Sequence, residues 1–278
     1  MMIHRNRVLR VLLLSAVLIL LGSCSKKEEK PSPPTVTPPE PPRAVGTTSL
    51  DGTVWLLERL RGRAVRPGSS LTLYFEKGQA QGSAGCNRYA GSYTEELARE
   101  LHLTQLMLRK QLCQVPELME QERLFAESLK TTATFTMTNG RLLLQDHAGS
   151  NVAVFKAQSQ ELRGTIWQAL SFSDGLGGMK DVVRQGRMLT AAFSADGLLT
   201  GSGGCNSYQA RSAALSANRS FSFEMIMMAT KQCPSDVVME QEGQFMAAFY
   251  TAVFYRIEGR TLTLLDADGN PAVIFSKL

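Results

Sequence analysis

The chain has 278 residues, of which 44% are hydrophobic and 20% charged, a length that suits about two domains of ordinary size. The formal net charge is +5, but Arg5, Arg7 and Arg10 all fall within the first ten residues. Residues 49–157 hold 13 basic and 11 acidic side chains and residues 160–278 hold 10 and 11. Neither stretch carries the clustered positive field that nucleic-acid backbones require, so nucleic acid is not an expected partner.

The first residues read as a targeting segment. His4, Arg5, Arg7 and Arg10 precede an apolar run over residues 11–21, followed by Gly22, Ser23 and Cys24. A basic start, a short apolar stretch and small residues before a cut describe a bacterial signal peptide, too short to span a bilayer comfortably. Leu21-Gly22-Ser23-Cys24 resembles a lipobox, which implies removal of residues 1–23 and lipidation, palmitate included, of Cys24. Acyl chains contribute about 0.8 kcal/mol per buried methylene and hold a protein on one leaflet without crossing it. Residues 24–48 hold seven of the eleven prolines, a density that favours extended polyproline II and reads as a spacer off the membrane.

An internal repeat sets the architecture. Gly52-Thr53-Val54-Trp55 returns as Gly164-Thr165-Ile166-Trp167, and Gly85-Cys86-Asn87-Arg88-Tyr89 returns as Gly204-Cys205-Asn206-Ser207-Tyr208. Met119-Glu120-Gln121-Glu122 matches Met239-Glu240-Gln241-Glu242, with Phe125 and Phe155 matching Phe245 and Phe275. The domains expected are therefore 49–157 and 160–278. A change in the repeat spacing places an insertion of about seven residues in the second copy, within the Gly-rich stretch 172–181, expected as a mobile surface loop.

Within each copy most segments read as strands. Residues 71–75, 134–137, 141–144 and 151–155 are short, rich in β-formers and bounded by Gly, Asn or Asp. Asn139-Gly140 is a strong hairpin turn. One helix interrupts the strands near Pro116-Glu117 and puts Leu118, Phe125 and Leu129 on one stripe. Its second-copy partner has Ser235 at the capping position and Val238, Phe245 and Phe249 at the same spacing. About eight strands and one helix per copy give a mainly β (α+β) chain of two small antiparallel barrel-like units. Trp55 and Trp167 are expected to plug one end of each.

Taken together, Gly-Thr-x-Trp, Gly-Cys-Asn-x-Tyr, the second cysteine and the Met-Glu-Gln-Glu helix make each copy resemble the META domain, also called the HslJ-like domain after a heat-inducible (heat shock) bacterial envelope protein. The resemblance covers nearly all of residues 50–156 and 162–276. It implies a β-rich barrel-like fold with one helix, frequent on bacterial lipoproteins, and a role in envelope stress tolerance. Gly91-Ser92-Tyr93 follows the family pattern in the first copy only, and Thr230 before Cys233 in the second copy only, so a role carried by Tyr93 or Thr230 belongs to one copy.

Apart from Cys24, the five cysteines leave Cys86 with Cys113 and Cys205 with Cys233. Outside the cytoplasm an even count at matching separations favours one disulfide per copy. Free buried thiols are the alternative where strand geometry holds the pair apart. Two cysteines per copy and no histidine-rich cluster do not make a zinc site, so no metal or cofactor is expected. His102 and His147 have no counterparts in the second copy, and Asp146-His147 reads as a turn rather than a relay. Glu120 with Glu122, and Glu240 with Glu242, are two apart on a helix and diverge, so each pair cannot share a substrate atom. Asn87 and Asn206 are read as bend residues that tolerate left-handed backbone and can hydrogen-bond their own turn, a structural role favoured over ligand contact. No catalytic residue is expected.

The expectation is a non-enzymatic, lipid-anchored protein of the bacterial envelope, at the outer membrane, facing the periplasm or the surface. Its partners are the membrane, through Cys24, and an envelope protein or small ligand. The alternative is a lipid-anchored inhibitor of a host or bacterial hydrolase acting through residues 174–181. No motif sets an oligomeric state.

Overall fold

The computed structural model describes residues 49–96, 99–109, 113, 115–213, 219–220, 222–229, 233 and 235–278. The targeting segment, Cys24 and the Pro-rich spacer lie outside the described residues. In the first copy the strands are β1 (Val54–Leu60), β2 (Arg63–Ala64), β3 (Thr72–Glu76), β4 (Gln79–Ser83), β5 (Arg88–Glu95), β6 (Leu101–Leu108), β7 (Thr134–Thr138), β8 (Arg141–Gln145) and β9 (Asn151–Ala157), with α1 (Pro116–Lys130) between β6 and β7. The second copy repeats this order as β10 (Thr165–Ser173), β11 (Met179–Asp181), β12 (Thr190–Phe193), β13 (Leu198–Ser202), β14 (Ser207–Ala213), β15 (Ser222–Met228), α2 (Asp236–Tyr250), β16 (Phe254–Glu258), β17 (Thr261–Leu265) and β18 (Pro271–Lys277).

Each copy is one antiparallel sheet. The first runs β6-β5-β4-β3-β1-β9-β8-β7 with β2 on β1, and the second β15-β14-β13-β12-β10-β18-β17-β16 with β11 on β10. The two ends of each path curl toward one another and touch at one bridge, Glu100 with Thr134 and Ser220 with Phe254. This is a half-barrel whose unpaired seam is crossed by the helix. Side chains alternate as a one-sided strand requires: in β5 Tyr89, Gly91 and Tyr93 face inward while Arg88 and Ala90 face outward.

Among the described residues each copy has nine strands where about eight are expected, because β2 and β11 are hairpin arms too short and too exposed to leave a hydrophobic pattern. The Gly-rich insertion is accordingly not simply a loop. Ser171 pairs with Asp181 and Ser173 with Met179, so residues 174–178 are the tip of a lengthened hairpin. Asp174 Oδ1 accepts from the backbone N–H of Leu176 at 2.7 Å and of Gly178 at 2.9 Å. These bonds hold the Asp174 carboxyl below the usual carboxylate range. Leu176 at the tip is 92% exposed.

Both barrels are filled. Trp55, Phe75, Phe125 and Phe155 are buried in the first, and Trp167, Phe193, Phe245 and Phe275 in the second. Phe125 lies edge-on to Tyr89 and Phe155, with ring centroids 5.6 and 6.2 Å away. The Gly-Thr-x-Trp motif has a physical explanation. Gly52 takes φ +73 to start the strand. Thr53 Oγ1 then donates to the Leu50 carbonyl and accepts from Trp55 Nε1 at 2.7 Å, so the indole N–H is satisfied inside the core. Thr165 does the same for Trp167 at 2.6 Å. Tyr89 and Tyr208 donate across the sheet to the Thr72 and Thr190 carbonyls at 2.8 and 2.7 Å; burial pushes both hydroxyls up and keeps them protonated donors.

Phe125 and Leu129 are buried on α1 as the spacing predicts, with Leu118 half-buried. Val238, Phe245 and Phe249 do the same on α2. Ser235 does occupy the N-cap of α2, but its hydroxyl makes no capping bond. Its carbonyl accepts from the N–H of Met239.

Where the two copies meet, the outer face of β3 and β5 receives the edge strand β16. Glu258, with a side chain 5% exposed, accepts from Arg256 Nε at 2.9 Å, from Arg88 Nη2 at 3.2 Å and from Thr72 Oγ1 at 3.3 Å. The Arg256 guanidinium lies 4.0 Å from the centre of the Tyr74 ring, a cation–π contact that strengthens as water is excluded. The connector is stapled to the same edge. Gln160 Oε1 accepts from the N–H of Ile257 and Gln160 Nε2 donates to the Ile257 carbonyl, both at 2.8 Å. Gly259 turns at φ +59, and a Cβ there would stand 2.9 Å from the Ser70 Cβ, so only glycine lets the copies approach this closely.

Candidate functional site

The repeated cysteine motif builds one arrangement twice. Cys86 bonds Cys113 and Cys205 bonds Cys233, with Cα atoms 6.0 and 5.9 Å apart, inside the range a disulfide spans comfortably. Next to each bond the helix contributes a buried glutamate. Glu122 accepts from the Asn87 backbone N–H at 2.8 Å and from Asn87 Nδ2 at 2.7 Å. Glu242 accepts from Cys205 N at 3.2 Å, Asn206 N at 2.7 Å and Asn206 Nδ2 at 2.7 Å. The asparagines are therefore conserved in the repeat for a reason other than the one the sequence implies: neither takes a left-handed conformation, which falls to Gly85 and Gly204. Their amides instead tie the β4–β5 and β13–β14 bends to the helices.

Chemically this arrangement is a clamp. The sulfurs and carboxylate of Cys86, Cys113 and Glu122 lie within 4.8 Å of one another, as do those of Cys205, Cys233 and Glu242. A disulfide offers no thiolate as metal ligand or nucleophile, and each carboxylate is already engaged by amides. Glu120, the other half of the acidic pair, is exposed and bonds Arg123 at 2.7 Å; the guanidinium holds its carboxyl below the usual range.

Beside the clamp of the first copy lies an open groove of about 370 Å³, in the seam between α1 and β6. β6 ends its sheet, and the helix crosses the gap beyond it. Met119, Glu122, Arg123, Ala126, Glu127 and Lys130 line the helical wall, a single stripe at the spacing of three and four that faces one direction. Leu106, Met107 and Leu108 line the strand wall, and Asn87 and Cys113 close one end. Met107 is 75% exposed and Met119 44%, so apolar surface stands open to solvent here. Arg123 is held by Glu120 and Glu127, and among the described residues Lys130 carries no ion pair. The groove was not legible in the sequence, because half-buried leucines and methionines on a strand and a helix look the same whether they meet or stand apart.

The second copy changes that stripe. Gly243, Met246, Ala247 and Tyr250 stand where Arg123, Ala126, Glu127 and Lys130 stand in the first. Met246 is 4% exposed and joins the core cluster, whereas its counterpart Ala126 lines the groove.

The remaining candidates fall elsewhere. Tyr93 is a core residue, edge-on to Phe75 at 4.8 Å with its hydroxyl on Asp51 at 3.2 Å. His102 is half-exposed, 3.9 Å from Glu100, and His147 sits in the exposed turn after β8. Thr230 and Cys24 lie outside the described residues. Among the described residues no helix is long and apolar enough to cross a membrane.

No curated protein matches the chain. Three solved structures are similar to parts of it. An NMR structure of a protein is 25% identical over 38% of this chain and 90% of its own, with a TM-score of 0.33. The NMR structure of a protein from Burkholderia xenovorans is 26% identical over 40% and 85%, with a TM-score of 0.34. The crystal structure of a DUF4847 family protein from Bacteroides vulgatus ATCC 8482 is 17% identical over 33% and 61%, with a TM-score of 0.26. The META domain matches residues 48–159 and again residues 160–277. Filled half-barrels, clamps and family matches recur once in each half, and the chain belongs to the META domain family, with two META domains in tandem.

Proposed function

We propose that this tandem META protein is a lipid-anchored, non-enzymatic component of the bacterial envelope that binds a small, largely apolar ligand in the groove of its first domain. The lipobox-like Leu21-Gly22-Ser23-Cys24 and the spacer behind it support the anchor. The observation that carries the binding reading is the open seam that Ala126 lines, at the position where the second domain has the larger, buried Met246. A pocket near 370 Å³ with leucine and methionine on its strand wall and charged groups along its helical wall has the size of a small-molecule site. Removal of an apolar toxic compound is one way such a site would serve envelope stress tolerance.

The test is a titration with the apolar dye N-phenyl-1-naphthylamine. The parent protein gives a saturable rise in fluorescence, and Ala126→Met, which copies the second domain, weakens it at least tenfold with the thermal midpoint kept. Equal binding by parent and variant overturns the groove. The anchor is tested apart from it: Cys24→Ser moves the protein from the membrane pellet to the soluble fraction, and an unchanged pellet overturns it.

A second reading, a lipid-anchored hydrolase inhibitor, is favoured by the hairpin at 174–178, which holds Leu176 92% exposed on a turn fixed by Asp174. Capture of one hydrolase at equal ratio, lost on deletion of residues 174–181, would establish it in place of the groove.

A further inference from the structure

A second cavity, of about 330 Å³, opens at the junction of the two domains. Glu76 and Lys77, at the β3–β4 turn of the first domain, form one wall. Arg219, Phe254, Arg256 and Asp268 of the second form the other. Most of the charge here is positive and held out of water: the side chains of Arg219 and Arg256 are only 18% and 11% exposed.

The two guanidiniums share one carboxylate without bonding it closely. Arg219 Nη2 is 3.8 Å from Glu76 Oε1, and Arg256 Nη1 is 3.6 Å from Glu76 Oε2, both longer than an N–H···O hydrogen bond. Among the described residues the Arg219 guanidinium makes no hydrogen bond and the Lys77 ammonium no ion pair. Around the junction four cations, Lys77, Arg88, Arg219 and Arg256, face three carboxylates, Glu76, Glu258 and Asp268. Glu258 is committed to Arg88 and Arg256, and Glu76, 40% exposed, stands beyond hydrogen-bond distance of both guanidiniums. Phe254, 37% exposed, supplies an apolar surface beside these donors.

We propose that the junction cleft binds a small molecule carrying one oxyanionic group, carboxylate or phosphate, on a short apolar body. The planar forks of Arg219 and Arg256 suit the paired oxygens of such a group. The ligand's oxygens take the donors that Glu76 reaches only at long range, Lys77 adds charge from the first domain, and the apolar body lies against Phe254. The site is composite and exists only in the tandem. In the first domain Thr134 and Thr136 hold the positions of Phe254 and Arg256, and in the second Ser194 holds the position of Glu76.

The experiment titrates the full chain with phenyl phosphate and with benzoate, and with benzyl alcohol as the uncharged control, following the arginine Nε–H signals by NMR. Saturable shifts of Arg219 and Arg256 with either anion, and none with benzyl alcohol, are expected. Arg219→Gln and Lys77→Gln each weaken binding at least fivefold; Lys77 lies on an exposed turn, so its variant keeps the fold. Ala126→Met leaves this titration unchanged, which separates the cleft from the groove. No saturable shift with either anion, an equal response to benzyl alcohol, or unchanged affinity in both variants overturns the proposal. So does Arg219-dependent flotation of the Cys24→Ser chain with phosphatidic acid vesicles when the soluble anions give no response.

Discussion

The two META domains share most of their interior bonds and differ outside. The Trp–Thr bonds, the buried tyrosine bonds across the sheet, the disulfides and the Asn–Glu clamps recur in both. Three surfaces do not. The helix stripe carries Ala126 beside an open groove in the first domain and the larger, buried Met246 in the second. The outer sheet face carries Thr72, Tyr74 and Arg88 in the first domain but Thr190, Ala192 and Ser207 in the second. The edge strand carries Thr136 and Thr138 in the first but Arg256 and Glu258 in the second. The last two differences complement each other: the face with Tyr74 and Arg88 meets the edge with Arg256 and Glu258. The free face and free edge at the two ends of the chain lack those partners.

The shared interior gives the largest expected effect. Each disulfide closes a loop of 27 or 28 residues, worth about 3 to 4 kcal/mol on the chain-entropy model. Replacing Cys86 and Cys113 together with alanine, or Cys205 and Cys233, should lower urea stability by that amount in the domain affected, read by tryptophan fluorescence from Trp55 or Trp167. Similar losses in the two domains would show the clamps to be equivalent. A loss in one alone would mean that the bond has a task beyond stability there.

Next comes the helix stripe. Met246→Ala should open in the second domain the space that the first keeps, and deleting a buried methionine side chain costs about 2 to 3 kcal/mol where neighbours relax only in part. Urea titration reads the cost, and the apolar dye reads whether a second groove appears. A dye stoichiometry rising from one to two means that Met246 alone separates the domains; an unchanged one places the difference also in the charged rim of Arg123, Glu127 and Lys130.

How much of this was written legibly in the chain follows from distance. The repeat, the hairpin at Asn139-Gly140, the inward stripe of Phe125 and Leu129 and the cysteine pairs are local patterns or self-comparisons, and each has its place in the structure. Asn87 was readable as a bend residue but not as a partner of Glu122, because the bond joins residues 35 positions apart and either residue has an ordinary local role. The junction leaves still less trace. Arg256 and Glu258 alternate along β16 as any exposed pair on a strand would, and only the packing reveals that Glu258 is buried against Thr72 and Arg88. The groove is the extreme case, since a space has no residue of its own; its one signal was the alanine opposite a methionine in the repeat.

The smallest expected effect tests the junction. Glu258→Ala removes the carboxylate that gathers Arg88, Arg256 and Thr72. Severing a fully buried ion pair costs about 3 to 5 kcal/mol, but the Arg88 side chain is 49% exposed and Arg256 keeps the Tyr74 face, so about 2 kcal/mol is expected. The form of the loss discriminates more sharply than its size. Glu258→Ala should lower the coupling between the two unfolding transitions and separate their midpoints, because it leaves the Arg256–Tyr74 contact and the long Glu76 pairs as the polar contacts across the junction among the described side chains. Thr138→Glu, which places the same carboxylate on the free edge of the first domain, meets no Arg88 or Tyr74 and should change neither stability nor oligomeric state. A single unshifted transition in Glu258→Ala would transfer the coupling to the bond from the Gly259 N–H to Gln158 Oε1, and dimers in Thr138→Glu would show that the free face of the second domain accepts a partner without those side chains.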